Sequence, residues 1–153
     1  MLRISKLADY GTIVMVYLAH QQESLCNARD IAKQTHLSVP TVSKLLKKLT
    51  VAGLLISVRG ASGGYRLQRS ASNISVADIL FALDEQRGII ECHMQSSDCS
   101  LGRVCQIQTN WRMISQTIES ALASVSLASL AKPHLSESDL VRVQQLSIGV
   151  KRD

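Results

Sequence analysis

Apolar residues recur with a helical period through the first third of the chain. From about Ser5 to His20, the positions Leu7, Ile13, Val14, Val16, Tyr17 and Leu18 give broad apolar coverage, which predicts a helix buried on more than one side. Gln21-Gln22-Glu23-Ser24 reads as a turn. A short second helix is predicted over about 28–35, with Asn27 as N-cap, Asp30 in the first turn where the helix dipole favours an anion, and Ile31 and Ala32 facing inward. The third helix has the clearest signature: Ser38 caps it, Pro40 lies in its first turn, and Gly53 follows its end. Val42, Leu45, Leu46 and Leu49 fall at i, i+3, i+4 and i+7, leaving Thr41, Ser43, Lys44, Lys47 and Lys48 off the apolar stripe. Two short helices joined at His36-Leu37-Ser38, the second amphipathic and basic, form a helix-turn-helix pattern.

The pattern then changes. Residues 54–59 read as a strand, 60–64 as a glycine-rich turn and 65–68 as the return strand, a hairpin placed where a winged helix carries its wing. Ser75 and Asp78 have the spacing of a reciprocal helix cap, predicting a helix to about Glu85. Residues 86–106 read as irregular. Trp111, Ile114, Ile118, Ala121 and Val125 then repeat at three- and four-residue intervals over a long helix at about 107–125, close to a heptad seam. Pro133 breaks the pattern, and a short helix is expected at 138–146. The predicted fold class is mainly α with a small β-hairpin: a winged helix-turn-helix plus a long C-terminal dimerisation helix. The expected division is 1–70 for the winged helix-turn-helix, 71–106 for a linking helix and cysteine-bearing loop, 107–131 for the dimerisation helix and 132–153 for a polar tail.

Composition sharpens this picture. The chain is 46% hydrophobic but only 3% aromatic, so aliphatic side chains carry the packing. No apolar run approaches the roughly 20 residues of a membrane span, and residues 1–6 lack the features of a signal peptide. The expectation is a cytoplasmic protein with no membrane partner. Residues 1–70 hold ten Lys/Arg and three Asp/Glu, whereas 71–153 hold seven and nine. A basic half joined to a slightly acidic half suits a nucleic-acid-binding module attached to something else, although a merely solvated basic face gives the same count.

The candidate DNA-reading residues are Thr41, Ser43, Lys44, Lys47 and Lys48 on the third helix, with Arg59 and Arg66 on the hairpin. A major groove about 12 Å wide admits such a helix. Its N-terminal part meets base edges, and lysines further along meet phosphates.

The segment from Cys92 to Cys105 places Cys99 between them, with six and then five intervening residues. Three thiolates in one loop suit a soft metal centre. The spacing fits neither a zinc-finger pair nor a C-x-x-C redox pair. An iron–sulfur cluster needs about four protein ligands, so three cysteines leave one position for a weaker ligand. By chemistry alone, a cluster, a structural zinc, a thiol redox switch and inert cysteines all stay open. Cys26 stands apart and reads as a small packed residue. Neither a phosphate-binding glycine loop nor a nucleophile elbow is present, and His20, His36, His93 and His134 lack ligand or triad spacing; the expectation is that the chain is not an enzyme.

Three stretches carry a resemblance: residues 4–11 (Ile4 to Gly11), 41–47 (Thr41 to Lys47) and 59–67 (Arg59 to Leu67). Together with the cysteine triplet they resemble the iron–sulfur-cluster-sensing winged-helix transcription regulators, in particular the branch that governs the SUF assembly system, over about residues 1–130. The resemblance implies a homodimer joined through the long helix and a pseudo-palindromic double-stranded DNA operator. It implies a 2Fe–2S or 4Fe–4S iron–sulfur cluster as cofactor, with Cys92, Cys99 and Cys105 as metal ligands, and control, by repression or activation, of cluster-assembly genes. Some members place a histidine ligand three residues beyond the last cysteine, where this chain has Gln108, a poor ligand. Others use an acidic residue of the first helix, donated across the dimer, and Asp9 matches that position. His93 is a further possible substitute.

Overall fold

The computed structural model describes residues 4–21, 24–84 and 107–133. Cys92, His93, Cys99, Cys105 and the helix expected at 138–146 lie outside the described residues.

Helix α1 (Lys6–His20) starts at Ser5, whose hydroxyl accepts the Ala8 N–H at 3.2 Å. Helix α2 (Ala28–Thr35) is capped by Asn27, whose Oδ1 accepts the Asp30 N–H at 2.9 Å while its amide nitrogen donates to the Asp30 carboxylate. Its other end is closed by His36 in the left-handed region, φ 56°, and the Leu37 N–H returns to the Ala32 carbonyl at 3.1 Å. That three-residue turn feeds directly into Ser38, the cap of α3 (Val39–Val51). The predicted bounds of these three helices therefore hold to within a residue or so.

Strands β1 (Leu55–Val58) and β2 (Gly64–Leu67) pair antiparallel, with Leu55 opposite Leu67 and Val58 opposite Gly64. A third stretch of backbone joins the hairpin. Cys26 donates to the Tyr65 carbonyl at 3.0 Å and accepts the Tyr65 N–H at 2.9 Å. A β-carbon on Gly64 would stand 2.8 Å from the Cys26 backbone, so this approach needs glycine. The hairpin is thereby fixed to the start of α2, and the architecture is a winged helix-turn-helix.

After a single 3-10 turn (Ala71–Asn73), α4 (Val76–Leu83) begins with a complete capping box. The Ser75 hydroxyl accepts the Asp78 N–H at 3.1 Å, and the Asp78 carboxylate accepts the Ser75 N–H at 2.9 Å. This helix ends at Leu83, slightly before the expected Glu85, because Asp84 adopts an extended backbone. Helix α5 (Gln108–Ser124) is followed by α6 (Leu127–Leu130), a single turn that sequence periodicity does not predict. Its Leu127 is fully buried and donates its N–H to the Ile74 carbonyl at 2.7 Å, while the Val76 N–H reaches the Val125 carbonyl at 2.9 Å. The end of α5 is thus tied to the start of α4.

One hydrophobic cluster runs through the whole assembly. It joins Val14, Met15 and Leu18 of α1 to Ile31 of α2, to the apolar stripe Val42, Leu45, Leu46 and Leu49 of α3, and to Ile79, Leu83 and Leu127. Burying each such side chain contributes roughly 1.5–3 kcal/mol before entropy is counted. Helices α1 and α4 approach closely at Gly11, where a β-carbon would run into the Leu83 side chain. Ile13, expected on a buried side of α1, is exposed instead: the core lies along Val14, Met15 and Leu18, and Ile13 projects away from it. No helix among the described residues is long and apolar enough to cross a membrane.

Candidate nucleic-acid interface

Helix α3 presents a continuous outward face opposite its buried stripe. Val39, Ser43, Lys47 and Val51 follow one another at four-residue intervals, with Pro40 and Lys44 alongside, and all six are exposed. Side chains four apart lie one above the other on a helix, so Ser43, Lys44 and Lys47 form one polar, cationic band. Thr41 and Lys48 are half-buried at the margins of that band. The Thr41 hydroxyl lies 2.7 Å from the Ser38 hydroxyl and belongs to the cap of the helix.

The wing supplies the second element. Arg59 is exposed at the tip side of β1, and Arg66 is half-buried on β2, opposite Ile56. The connection depends on two glycines. Gly60 has φ +117°, a conformation that side chains disfavour, and a β-carbon on Gly63 would collide with the Val58 carbonyl. The Gly63 N–H closes the turn on the Gly60 carbonyl at 3.0 Å. A short cationic helix and a tight basic loop, held on one frame by the Cys26–Tyr65 pairing, match what a groove and its flanking phosphates require.

Cys26 behaves as a packed residue. It is 8% exposed, and burial raises its thiol above the ordinary value, partly opposed by a hydrogen bond from Tyr17 and reinforced by the Asp30 carboxylate. Burial likewise raises Tyr17, with Cys26 adding to the rise.

Asp9 lies in the first turn of α1 with its side chain exposed, and Gln108 is half-buried at the start of α5. On α5, Trp111 and Ile114 of the expected seam are exposed, while Ile118, Ala121 and Val125 are half-buried. Ser115 is fully buried on the same helix, with no hydrogen-bond partner for its hydroxyl among the described residues. Val39 and Pro40, which the sequence pattern does not single out, also lie on this exposed face. Their positions four residues before Ser43 and Lys44 carry the signal, but apolar residues at a helix start read more readily as capping and core positions.

Comparison with known proteins agrees with this architecture. Residues 4–133 match the sequence profile of the family described as Rrf2, iron-dependent transcriptional regulator. The chain is 36% identical over 132 residues to the HTH-type transcriptional regulator IscR of Vibrio atlanticus, covering 86% of this chain and 76% of that protein. Among solved structures it is similar to CymR, the global cysteine regulator of B. subtilis, with a TM-score of 0.66 and 30% identity, covering 86% of this chain and 97% of that one. It is also similar to T. potens IscR, with a TM-score of 0.63 and 27% identity, covering 99% and 94%.

Proposed function

The chain belongs to the Rrf2 family of transcriptional regulators, and from that premise we propose that it is a homodimeric, cytoplasmic repressor of iron–sulfur cluster assembly genes of the SUF type, governed by an iron–sulfur cluster. As a member of a family of DNA-binding regulators it is not an enzyme. The observation that carries the DNA-reading part is the exposed band Ser43, Lys44 and Lys47 on a helix-turn-helix frame, beside a wing bearing Arg59. Lys48 and Arg66 flank this band as phosphate contacts, and Thr41 sets the start of the reading helix through its bond to Ser38.

The donor set fits a cluster. Cys92, Cys99 and Cys105 supply three soft thiolates within one segment. The exposed carboxylate of the partner subunit's Asp9 is the fourth ligand in this reading; it is a harder and more easily displaced donor, and lability suits a sensor. When bound, the cluster supplies a crosslink whose presence depends on iron supply and oxidants. The chain's own residues turn that into a response. The three cysteines lie between α4, which packs on the DNA-reading body, and α5, which exposes Trp111 and Ile114. Two copies joined along that apolar stripe read a pseudo-palindrome with half-sites about one helical turn apart or a multiple of it. Fixing the segment between α4 and α5 fixes the spacing of the two α3 helices, which is a coupling free energy between the sites.

Likeness to the CymR of Staphylococcus aureus, solved in an oxidized form, favours one alternative, in which the three thiols respond to oxidation without a metal. A third outcome is a structural zinc.

The test combines metal analysis with operator binding. Oxygen-free preparations are assayed for iron, zinc and acid-labile sulfide, and operator affinity is measured for holo protein, metal-free protein and Cys92→Ala. Iron with sulfide and a changed affinity or site preference on its loss supports the cluster reading. Colourless protein with zinc, or with thiols alone and a peroxide-dependent affinity, supports the respective alternative. Equal affinities and preferences in all three forms remove sensing and leave DNA binding.

A further inference from the structure

The outward face of α3 is not uniform. Its middle carries Ser43, Lys44 and Lys47, but its N-terminal end carries hydrocarbon: Val39 is 42% exposed and Pro40 is exposed beside it. The hydroxyls of that first turn are engaged within the helix cap. The Ser38 and Thr41 hydroxyls lie 2.7 Å apart, the Ser38 hydroxyl also accepts the Thr41 N–H, and the Val42 N–H bonds to the Ser38 carbonyl at 3.0 Å. Pro40 has no N–H to offer.

A lone exposed valine carries no meaning on its own. Here the pair stands at the end of the helix that meets base edges in a helix-turn-helix complex. A polar base edge pressed against Val39 and Pro40 would lose its water and gain no hydrogen bond. The apolar group that base pairs present in the major groove is the thymine 5-methyl. Lys44 and Lys47, next along the same face, attract the phosphates of a duplex and not another apolar surface. We infer that Val39 and Pro40 are specificity-determining residues that select thymine within each half-site by packing on its methyl group. The inference rests on the DNA-binding reading above and adds to it a base preference that needs no hydrogen bond.

The experiment starts with duplexes selected from a random pool by the full-length protein. Each thymine of the enriched half-site is then replaced, one at a time, by uracil, which removes only the methyl. One or two positions are expected to lose about four-fold in affinity, the equivalent of about 0.8 kcal/mol for one buried methyl-sized group. In Val39→Ser and Pro40→Ala, both at exposed positions, the same uracil substitutions are expected to cost nothing further, while thermal melts stay near that of the parent protein. Uracil tolerated at every position, or a uracil penalty undiminished in both variants, overturns the inference while leaving DNA binding intact. A selection that enriches no sequence overturns it together with the DNA-binding reading.

Discussion

The side chain of Leu83 fills the space that a β-carbon on residue 11 would need. Glycine inside a helix normally weakens it by about 1 kcal/mol relative to alanine, so Gly11→Ala would ordinarily stabilise. Here the added methyl meets Leu83 and comes within 3.3 Å of a Leu45 methyl. Overpacking of a full core costs about 1–3 kcal/mol, enough to reverse the sign. The expected outcome is a net loss of stability, read as a lower urea midpoint. A higher midpoint would mean that Leu83 has room to swing aside and that the α1–α4 contact is loose.

At the start of α4, cap and ion pair are separable. Asp78 accepts the Ser75 N–H and also faces the Arg69 guanidinium at 3.4 Å, with both side chains more than a third exposed. Loss of a helix cap costs about 1 kcal/mol, whereas an exposed ion pair contributes little. Thermal unfolding should therefore rank Ser75→Ala and Asp78→Ala as clearly destabilised and Arg69→Ala as close to the parent protein. An Arg69→Ala loss as large as that of Asp78→Ala would show that the ion pair, and not the cap, fixes the helix start.

The buried Cys26 thiol predicts an alkaline dependence. Its pKa is raised on folding, chiefly by burial, from the ordinary value of 9.0. The folded state then holds the proton more tightly than the unfolded state. The resulting stabilisation is complete below the unfolded value and is lost as pH rises through the folded one. The difference in urea midpoint between the parent protein and Cys26→Ala should thus shrink from pH 7.5 to pH 10. A difference that stays constant or grows would contradict the burial of the thiol.

The cationic band on α3 predicts a salt signature. Each lysine that neutralises a phosphate contributes about 0.9 to the slope of log affinity against log salt. In the proposed dimer each subunit contributes one Lys47, so Lys47→Gln should weaken binding to all duplexes alike and lower that slope by about twice this amount. Ser43→Ala should leave the slope unchanged and alter the preference between sequences. A slope unchanged in Lys47→Gln would move Lys47 off the phosphate backbone.

The hydroxyl of Ser115 is buried without a partner among the described residues. An unsatisfied buried hydroxyl costs about 1–3 kcal/mol, so Ser115→Ala should raise the melting temperature. A fall would point to a hydrogen-bond partner for Ser115 outside the described residues, in the proposed dimer or in the segment between α4 and α5.

The helix-turn-helix and the wing were legible in the sequence because their signals are local. Ser38, Pro40 and Gly53 punctuate α3, four aliphatic residues mark its buried stripe, and Ser75 and Asp78 announce α4 by spacing alone. What escaped was set by contacts distant in the chain. Nothing near Leu127 marks it as core; it packs into the cluster that includes Ile74, more than fifty residues earlier, whose carbonyl also receives its N–H. Ile13 looks like a core residue until the packing of α1 is known. The glycine at position 64 gives no hint from sequence that it is there to let Cys26 approach.

That approach has mechanical weight. With Cys26 hydrogen-bonded to Tyr65 in both directions, the hairpin cannot pivot on its own relative to α2 and α3. The angle between the α3 helix, proposed to enter one groove, and the wing loop proposed to lie over the next is built in, like the jaws of a locked caliper. In the proposed dimer on its operator, any mismatch with straight B-form geometry would have to be absorbed by the duplex or by a shift between the two subunits. Base steps that yield easily at the untouched centre of the site would be favoured for their pliancy, giving sequence preference at positions no side chain reaches.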